Sequence, residues 1–372
     1  MGAFLDMIEV GICQNGVIPM EDFMIREYRE GDEVEINRLF NEIFCASRSL
    51  DEWHWKFIEN PTNAMVTAVA ESGGRIVGQY PEVTAYFQYL NQVVLFSIPV
   101  DSFVLPRFRG GMNGVLKALW DFKKQYPMRF GFPTKAHYVI CKRPLKFRDL
   151  CKMPVLFMRL NFRLAVRNRV PWMPPYLLAL IRSVSNFGFR IYLGVRNFRT
   201  ASAIRTRIVD SFDARIDALW ERVKRKHRII CVRDRRYLGW RYRKPEASYR
   251  IVIAEKGGEI VGYAVTGIKH EAGAVAGYIV DLVTDDSTGV SAALVKCSVL
   301  DLLSRNADYA LCWMLPDKDG FQSLREFGFA QKEDVFPSVS IVFQIFDPQI
   351  VDEEVAGDAR NWFLTMGDSD VY

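Results

Sequence analysis

Residues 70–80 read AESGGRIVGQY and residues 254–264 read AEKGGEIVGYA, with Gly78 and Gly262 in matching places 184 residues apart. One match of this length constrains little, but an offset sustained along a chain marks a duplicated folding unit. Here it is sustained: Trp55-Lys56-Phe57 followed by Pro61 returns as Trp240-Arg241-Tyr242 followed by Pro245. Phe147 returns as Phe329, and Pro154 of MPVLFMRLNF returns as Pro337 of FPSVSIVFQIF. The 372 residues therefore read as two copies of one unit, residues 24–165 and 211–346, with an extension at 1–23, a connector at 166–210 and a tail at 347–372.

Within the first copy, Val34, Ile36, Leu39, Phe40 and Ile43 fall near helical spacing behind Asp32, a suitable N-cap. A second helix over LDEWHWKFIEN stops at Pro61. Strands follow over 66–71 and 75–87, turning at Gly73-Gly74, then a longer strand over 93–105. RFRGGMNGVLKALWDFKKQY passes from a glycine-rich loop into a helix; a short strand at 129–132 and a helix after Pro133-Thr134 come next. Met158, Leu160, Phe162, Leu164 and Val166 alternate with polar residues, the period of a half-buried strand. The order predicts a mixed α+β unit, a mostly antiparallel central sheet flanked by helices.

Composition narrows the setting. Hydrophobic residues at 49% supply enough apolar surface for two cores. Seven cysteines without a CxxC pair argue for a reducing, cytoplasmic setting and against a disulfide framework or a zinc site, so no metal is expected. The first residues lack the basic region of a secretory signal, and no run of ~18 uncharged apolar residues exists to span a membrane.

The element order resembles the acyl-CoA N-acyltransferase superfamily known as GNAT, over about three quarters of the chain. Its most specific element is VLPRFRGGMNGVLKAL, which resembles the pyrophosphate loop of that family. The resemblance implies two tandem GNAT-like domains and acetyl-CoA, or another acyl-CoA, as co-substrate. It places the diphosphate on Arg107, Arg109, Gly110, Gly111, Met112, Asn113 and Gly114, with Met112 standing where the family usually has glycine. The chemistry is independently sound. A glycine turn feeding a helix N-terminus aims several backbone N–H groups at one point, and arginines add charge-assisted contacts to phosphate. The second copy reads TDDSTGVSAALVKC at the same place, with only Gly289 and with Asp285 and Asp286 where phosphates would approach. Carboxylates there repel a diphosphate, so cofactor binding is assigned to the first copy.

Acyl transfer from a thioester to an amine needs a deprotonated amine, a polarised carbonyl and a proton for the leaving thiolate. Asp101, on the strand the family uses to polarise the carbonyl, is the carboxylate best placed as base; Asp281 matches it in the second copy. The family's usual acid, a tyrosine before a Gly-Phe pair, is replaced by Lys142 and Leu324. Tyr138, one turn earlier, is the substitute catalytic acid, and Cys141 lies beside it; His54 and His137 are the histidines nearest the motifs. The leading reading is an acyl-CoA-dependent N-acetyltransferase acting on an amine of a small molecule, amino sugar or peptide. The alternatives are a Fem-like transferase fed by aminoacyl-tRNA and a degenerate tandem domain that binds without turnover.

Charge sets the connector apart. From Lys142 to Arg207 fifteen Lys/Arg face one acid, Asp149, a balance of +14 in a chain of net +5, so the remainder carries −9. An ordered connector with a short helix at YLLALIRSV, a basic patch on an anionic membrane surface, and an RNA groove all suit this composition. Nucleic acid is the least favoured, because the long helical arm of the Fem-like group is missing. In the tail, Trp362, Phe363 and Leu364 are too apolar to stay free, and docking them brings Asp368 and Asp370 to the cleft between the copies.

Overall fold

The computed structural model describes residues 22–109, 114–122, 126–195, 203–271, 273–285 and 289–370. The first copy runs β1 (Met24–Glu27), α1 (Asp32–Phe44), α2 (Leu50–Phe57), β2 (Val66–Ser72), β3 (Arg75–Tyr89), β4 (Gln92–Pro99), β5 (Phe103–Val104), α3 (Val115–Phe122), β6 (Met128–Gly131), α4 (Lys135–Lys142), β7 (Arg148–Met153) and β8 (Val155–Arg159). Helices α5 (Arg163–Arg169) and α6 (Pro175–Val195) form the connector. The second copy begins ahead of its expected bound, with β9 (Arg205–Val209) in the segment read as connector, and continues with α7 (Arg215–Val223), β10 (Ile229–Cys231), α8 (Arg235–Arg241), β11 (Arg250–Lys256), β12 (Glu259–Glu271), β13 (Ala274–Thr284), α9 (Val290–Ser304), β14 (Tyr309–Trp313), α10 (Asp319–Phe327), β15 (Ala330–Gln331) and β16 (Val339–Ile345). The tail adds α11 (Glu353–Ala356) and β17 (Trp362–Phe363).

The two sheets share one strand order, with an exchange. The first runs β1-β2-β3-β4-β6-β16-β7, and the second β9-β11-β12-β13-β14-β8-β15. The sixth place in each is taken by the last strand of the other copy. Strand β16 lies antiparallel between β6, with Phe343 opposite Phe130, and β7, with Ile341 opposite Cys151. Strand β8 lies antiparallel between β14 and β15, with Phe157 opposite both Leu311 and Ala330. These are the two strands opened by Pro154 and Pro337, so the segments 24–165 and 211–346 each enclose one strand of the other's sheet.

The repeated glycine answers a packing need. Helix α3 lies on β3, and α9 lies on β12. A Cβ at Gly78 would stand 3.0 Å from the Phe103 carbonyl oxygen, and one at Gly262 would stand 2.8 Å from Val290 Cγ1 and 2.9 Å from the Val283 carbonyl oxygen. Only glycine lets strand and helix approach this closely.

The copies meet at their repeated tryptophans. Trp55 and Trp240 stack with ring centroids 5.1 Å apart, and each indole donates to the other's backbone carbonyl at 2.8 Å. Equivalent residues answering each other reproduce, within one chain, the contact of a two-fold symmetric dimer. The core crosses this junction without a break, from Ile36, Trp53 and Phe87 to Tyr263, Trp313 and Trp362. Strand β10 extends the first sheet further by pairing antiparallel with β3, and β17 pairs parallel with β10.

Local expectations are adjusted at four places. The strand expected over 93–105 breaks after Pro99, where Asp101 takes a left-handed φ of 47° that aspartate tolerates better than branched residues. The alternation beyond Met158 is strand only to Arg159; Asn161 Oδ1 then accepts the Arg163 N–H at 3.0 Å and turns the chain into α5. Asp32 is the first residue of α1, and Gly31 at φ 101° is its N-cap. The connector helix has 21 residues, with Pro175 at its start where no amide donor is required.

Candidate functional site

The glycine-rich loop leaves β5 in a fixed direction. The Leu105 N–H donates to the Val77 carbonyl at 2.8 Å, and Phe108, 7% exposed, pins the single turn over Pro106–Phe108. Arg109 Nε donates to the Val104 carbonyl at 2.8 Å, which ties that arginine back to the strand; both Arg107 and Arg109 are exposed. Gly110, Gly111, Met112 and Asn113 lie outside the described residues. Gly114 is buried at the start of α3, where its carbonyl accepts from the Lys117 and Ala118 N–H groups at 3.0 and 3.2 Å. The loop thus runs from the turn at Pro106–Phe108 to the free first-turn N–H end of α3, the kind of helix end that can receive a phosphate.

In the second copy Asp285, at the matching place after β13, is engaged from within the domain. The Asp285 carboxylate pairs with Arg222 Nε at 3.3 Å, and its carbonyl accepts from the Lys226 ammonium. Gly289, at φ 82°, caps α9, and Asp286 lies outside the described residues.

Asp101 is held by two cations. Its carboxylate accepts from Arg48 Nη1 at 2.6 Å and Lys56 Nζ at 2.9 Å, while its carbonyl accepts from Gln79 Nε2 at 3.0 Å. Burial alone would raise the Asp101 carboxyl, but the Lys56 ammonium and then the Arg48 guanidinium overcome it and hold the group below the usual carboxylate range. A carboxylate so held is a weak proton acceptor. Lys56 also reaches Asp370 at 3.0 Å, which joins the pair to the tail.

Asp281 holds the equivalent place within a buried network. It accepts from Tyr263 at 2.8 Å, Tyr242 at 3.0 Å, Thr365 at 2.9 Å and Arg233 Nε at 3.3 Å. Arg233 continues to Asp368 at 2.8 Å. Arg241, the counterpart of Lys56, donates to the Gly367 and Ser369 carbonyls, both at 2.9 Å. Lys56 and Arg241 thereby grip one tail from the two sides of the junction. The tail is docked as its composition predicts, with Trp362, Leu364 and Met366 wholly buried.

Tyr138 lies on α4. Its hydroxyl donates to Asp149 at 2.8 Å, and Lys142 reaches the same carboxylate at 2.8 Å. The hydrogen bond to Asp149, ahead of burial, raises the phenol, so it keeps its proton. Burial pushes the Cys141 thiol up to about 12, which leaves it an inert core residue.

Neither a family model nor a curated protein matches the chain by sequence. Solved structures do match. A conserved protein of unknown function from Enterococcus faecalis V583, described as a probable N-acyltransferase, is similar over 90% of this chain and 75% of its own, with a TM-score of 0.60 at 11% identity. A GCN5-related N-acetyltransferase from Anabaena variabilis ATCC 29413 is similar over 87% and 73%, with a TM-score of 0.58 at 10% identity. Saccharomyces cerevisiae N-myristoyltransferase with bound myristoyl-CoA is similar over 91% and 85%, with a TM-score of 0.55 at 11% identity. The chain has the GNAT fold.

Within this GNAT fold one group escaped the sequence reading. Solvent reaches Lys269 near the end of β12, yet protein surrounds it on most sides. Burial and then the neighbouring Lys244 pull its ammonium down to about 8, against the opposing pull of Glu271, Glu52 and Asp370. Its ammonium lies 6.0 Å from the centroid of the Tyr278 ring on the neighbouring β13. Among the described residues no cluster of His, Cys, Asp and Glu suits a metal ion, and no helix is long and apolar enough to cross a membrane.

Proposed function

We propose that the chain is an acyl-CoA-dependent N-acyltransferase, acting as an acetyltransferase on an amine of a small molecule, amino sugar or peptide, with coenzyme A bound by the first copy only. The observation that carries this reading is the contrast between the two loops: exposed Arg107 and Arg109 ahead of α3 in the first, against Asp285 paired with Arg222 ahead of α9 in the second. The names of the structural neighbours support the reaction class, and the myristoyl-CoA held by the yeast protein supports an acyl-CoA donor.

In the reaction the amine nitrogen attacks the thioester carbonyl, a C–N bond forms as the C–S bond breaks, and the thiolate takes up a proton. Tyr138 is the donor of that proton, as the phenol on α4 closest to the family's usual acid position; its O–H must first leave Asp149. Asp101 acts by holding Lys56 and the tail in place, since both of its cations would have to leave before it could accept a proton.

Release of free thiol from acetyl-CoA in the presence of an amine panel tests this reading. Tyr138→Phe lowers kcat by roughly 10²-fold or more with KM for acetyl-CoA nearly unchanged. Undiminished turnover in Tyr138→Phe refutes its role as acid. A second reading, binding without turnover, is favoured by the engagement of Asp101 with two cations, and retained acetyl-CoA binding with no thiol release from any amine would establish it.

A further inference from the structure

We propose that the outer face of α6 docks on the surface of an anionic phospholipid bilayer. The helix is apolar on both sides. Its inner face is fixed to the second copy, with Leu178 and Leu193 buried and Asn186 Nδ2 donating to the Leu303 carbonyl at 3.5 Å. Its outer face carries Tyr176, Leu180, Val184, Phe187 and Ile191, spaced by four, four, three and four residues, all exposed. Phe187 is 66% exposed, and Trp172, just ahead of the helix, is 82% exposed. A surface helix normally turns polar residues outward, and a contiguous apolar stripe of this length marks a contact surface.

Charge selects the occupant. Residues 150–209 contain no Asp or Glu, and α6 carries Arg182 and Arg190 as its only charged residues. Arg169 and Arg190 are exposed and make no ion pair among the described residues. A second copy brought face to face would set these arginines against their own equivalents with no acid to meet them. An anionic lipid surface supplies the opposite charge, and it is flat, as a stripe running from Tyr176 to Ile191, about 22 Å long, requires. Trp172 and Tyr176 at one end suit the headgroup boundary, where an apolar ring body and a polar tip are both satisfied. The helix lies in the plane of the surface, because it is not apolar enough to cross it.

The test is co-sedimentation of the full chain with phosphatidylcholine vesicles, with and without phosphatidylserine. The parent binds the phosphatidylserine vesicles, and added salt weakens the binding. Phe187→Glu and Leu180→Glu each reduce the bound fraction by roughly ten-fold. Val335→Glu, at an exposed apolar residue outside the connector, leaves it unchanged. Because the substituted side chains are exposed, thermal unfolding of each variant stays that of the parent. Absence of binding, equal binding to both vesicle types, or parental binding by Phe187→Glu overturns the proposal. A doubled mass in solution that Phe187→Glu returns to one chain also overturns it, since the face would then serve self-association.

Discussion

Cut within residues 196–202, the chain is expected to give two halves that do not fold apart. Residues 22–195 would lack β16, which supplies Ile341, Val342 and Phe343, each at most 1% exposed, to the first sheet. At about 1.5–3 kcal/mol per buried side chain, these three alone contribute roughly 5–9 kcal/mol, comparable with the whole stability of a domain. Residues 203–370 would lack β8 and with it Leu156 and Met158, leaving the edge of β14 unpaired. Produced separately, each half shows no cooperative unfolding; produced together, they assemble into one soluble complex. A half with a sharp transition of its own would contradict the exchange of strands.

Arg233→Met has the largest effect expected of a single substitution. Arg233 is 3% exposed and lies between Asp281 and Asp368, at 2% and 5%. Removing one partner of a buried charge network costs about 3–5 kcal/mol, because the remaining charges stay desolvated. The sign with pH follows. Burial raises the Asp368 carboxyl, with Arg233 opposing and Asp281 adding to the rise, so losing Arg233 raises it further. The folded variant then holds protons that its unfolded chain has shed, so its deficit against the parent widens as pH rises above the usual carboxylate range and is least in acid. Thermal unfolding of parent and variant from acid to neutral pH measures this. A deficit under about 1 kcal/mol at neutral pH would mean that the network does not hold the tail.

The duplication was legible because sterics wrote it into the chain. Gly78 and Gly262 stand where a Cβ would strike a carbonyl oxygen, and Trp55 and Trp240 stand where each copy must answer the other. Docking of the tail was legible from the run Trp362, Phe363, Leu364. The strand exchange was not, since β8 and β16 occupy the same place in the repeat and their alternation is satisfied in either sheet. The state of Asp101 was also hidden. Its cations come from Arg48 and Lys56, 53 and 45 residues away, and no local pattern records them. Lys269 carried no signal of its own, because its depression comes from burial and from Lys244, 25 residues away.

The central claim is that one copy of the fold binds coenzyme A and the other does not. Buried Gly114 is a poor place to probe it, since bulk there would disturb the start of α3; exposed Arg107 leaves the fold alone. Isothermal titration of acetyl-CoA into the parent and Arg107→Glu decides the matter. One molecule bound per chain, weakened roughly ten-fold or more in the variant, about 1.4 kcal/mol, is the predicted result. Two molecules bound per chain, or parental affinity in Arg107→Glu, would contradict it.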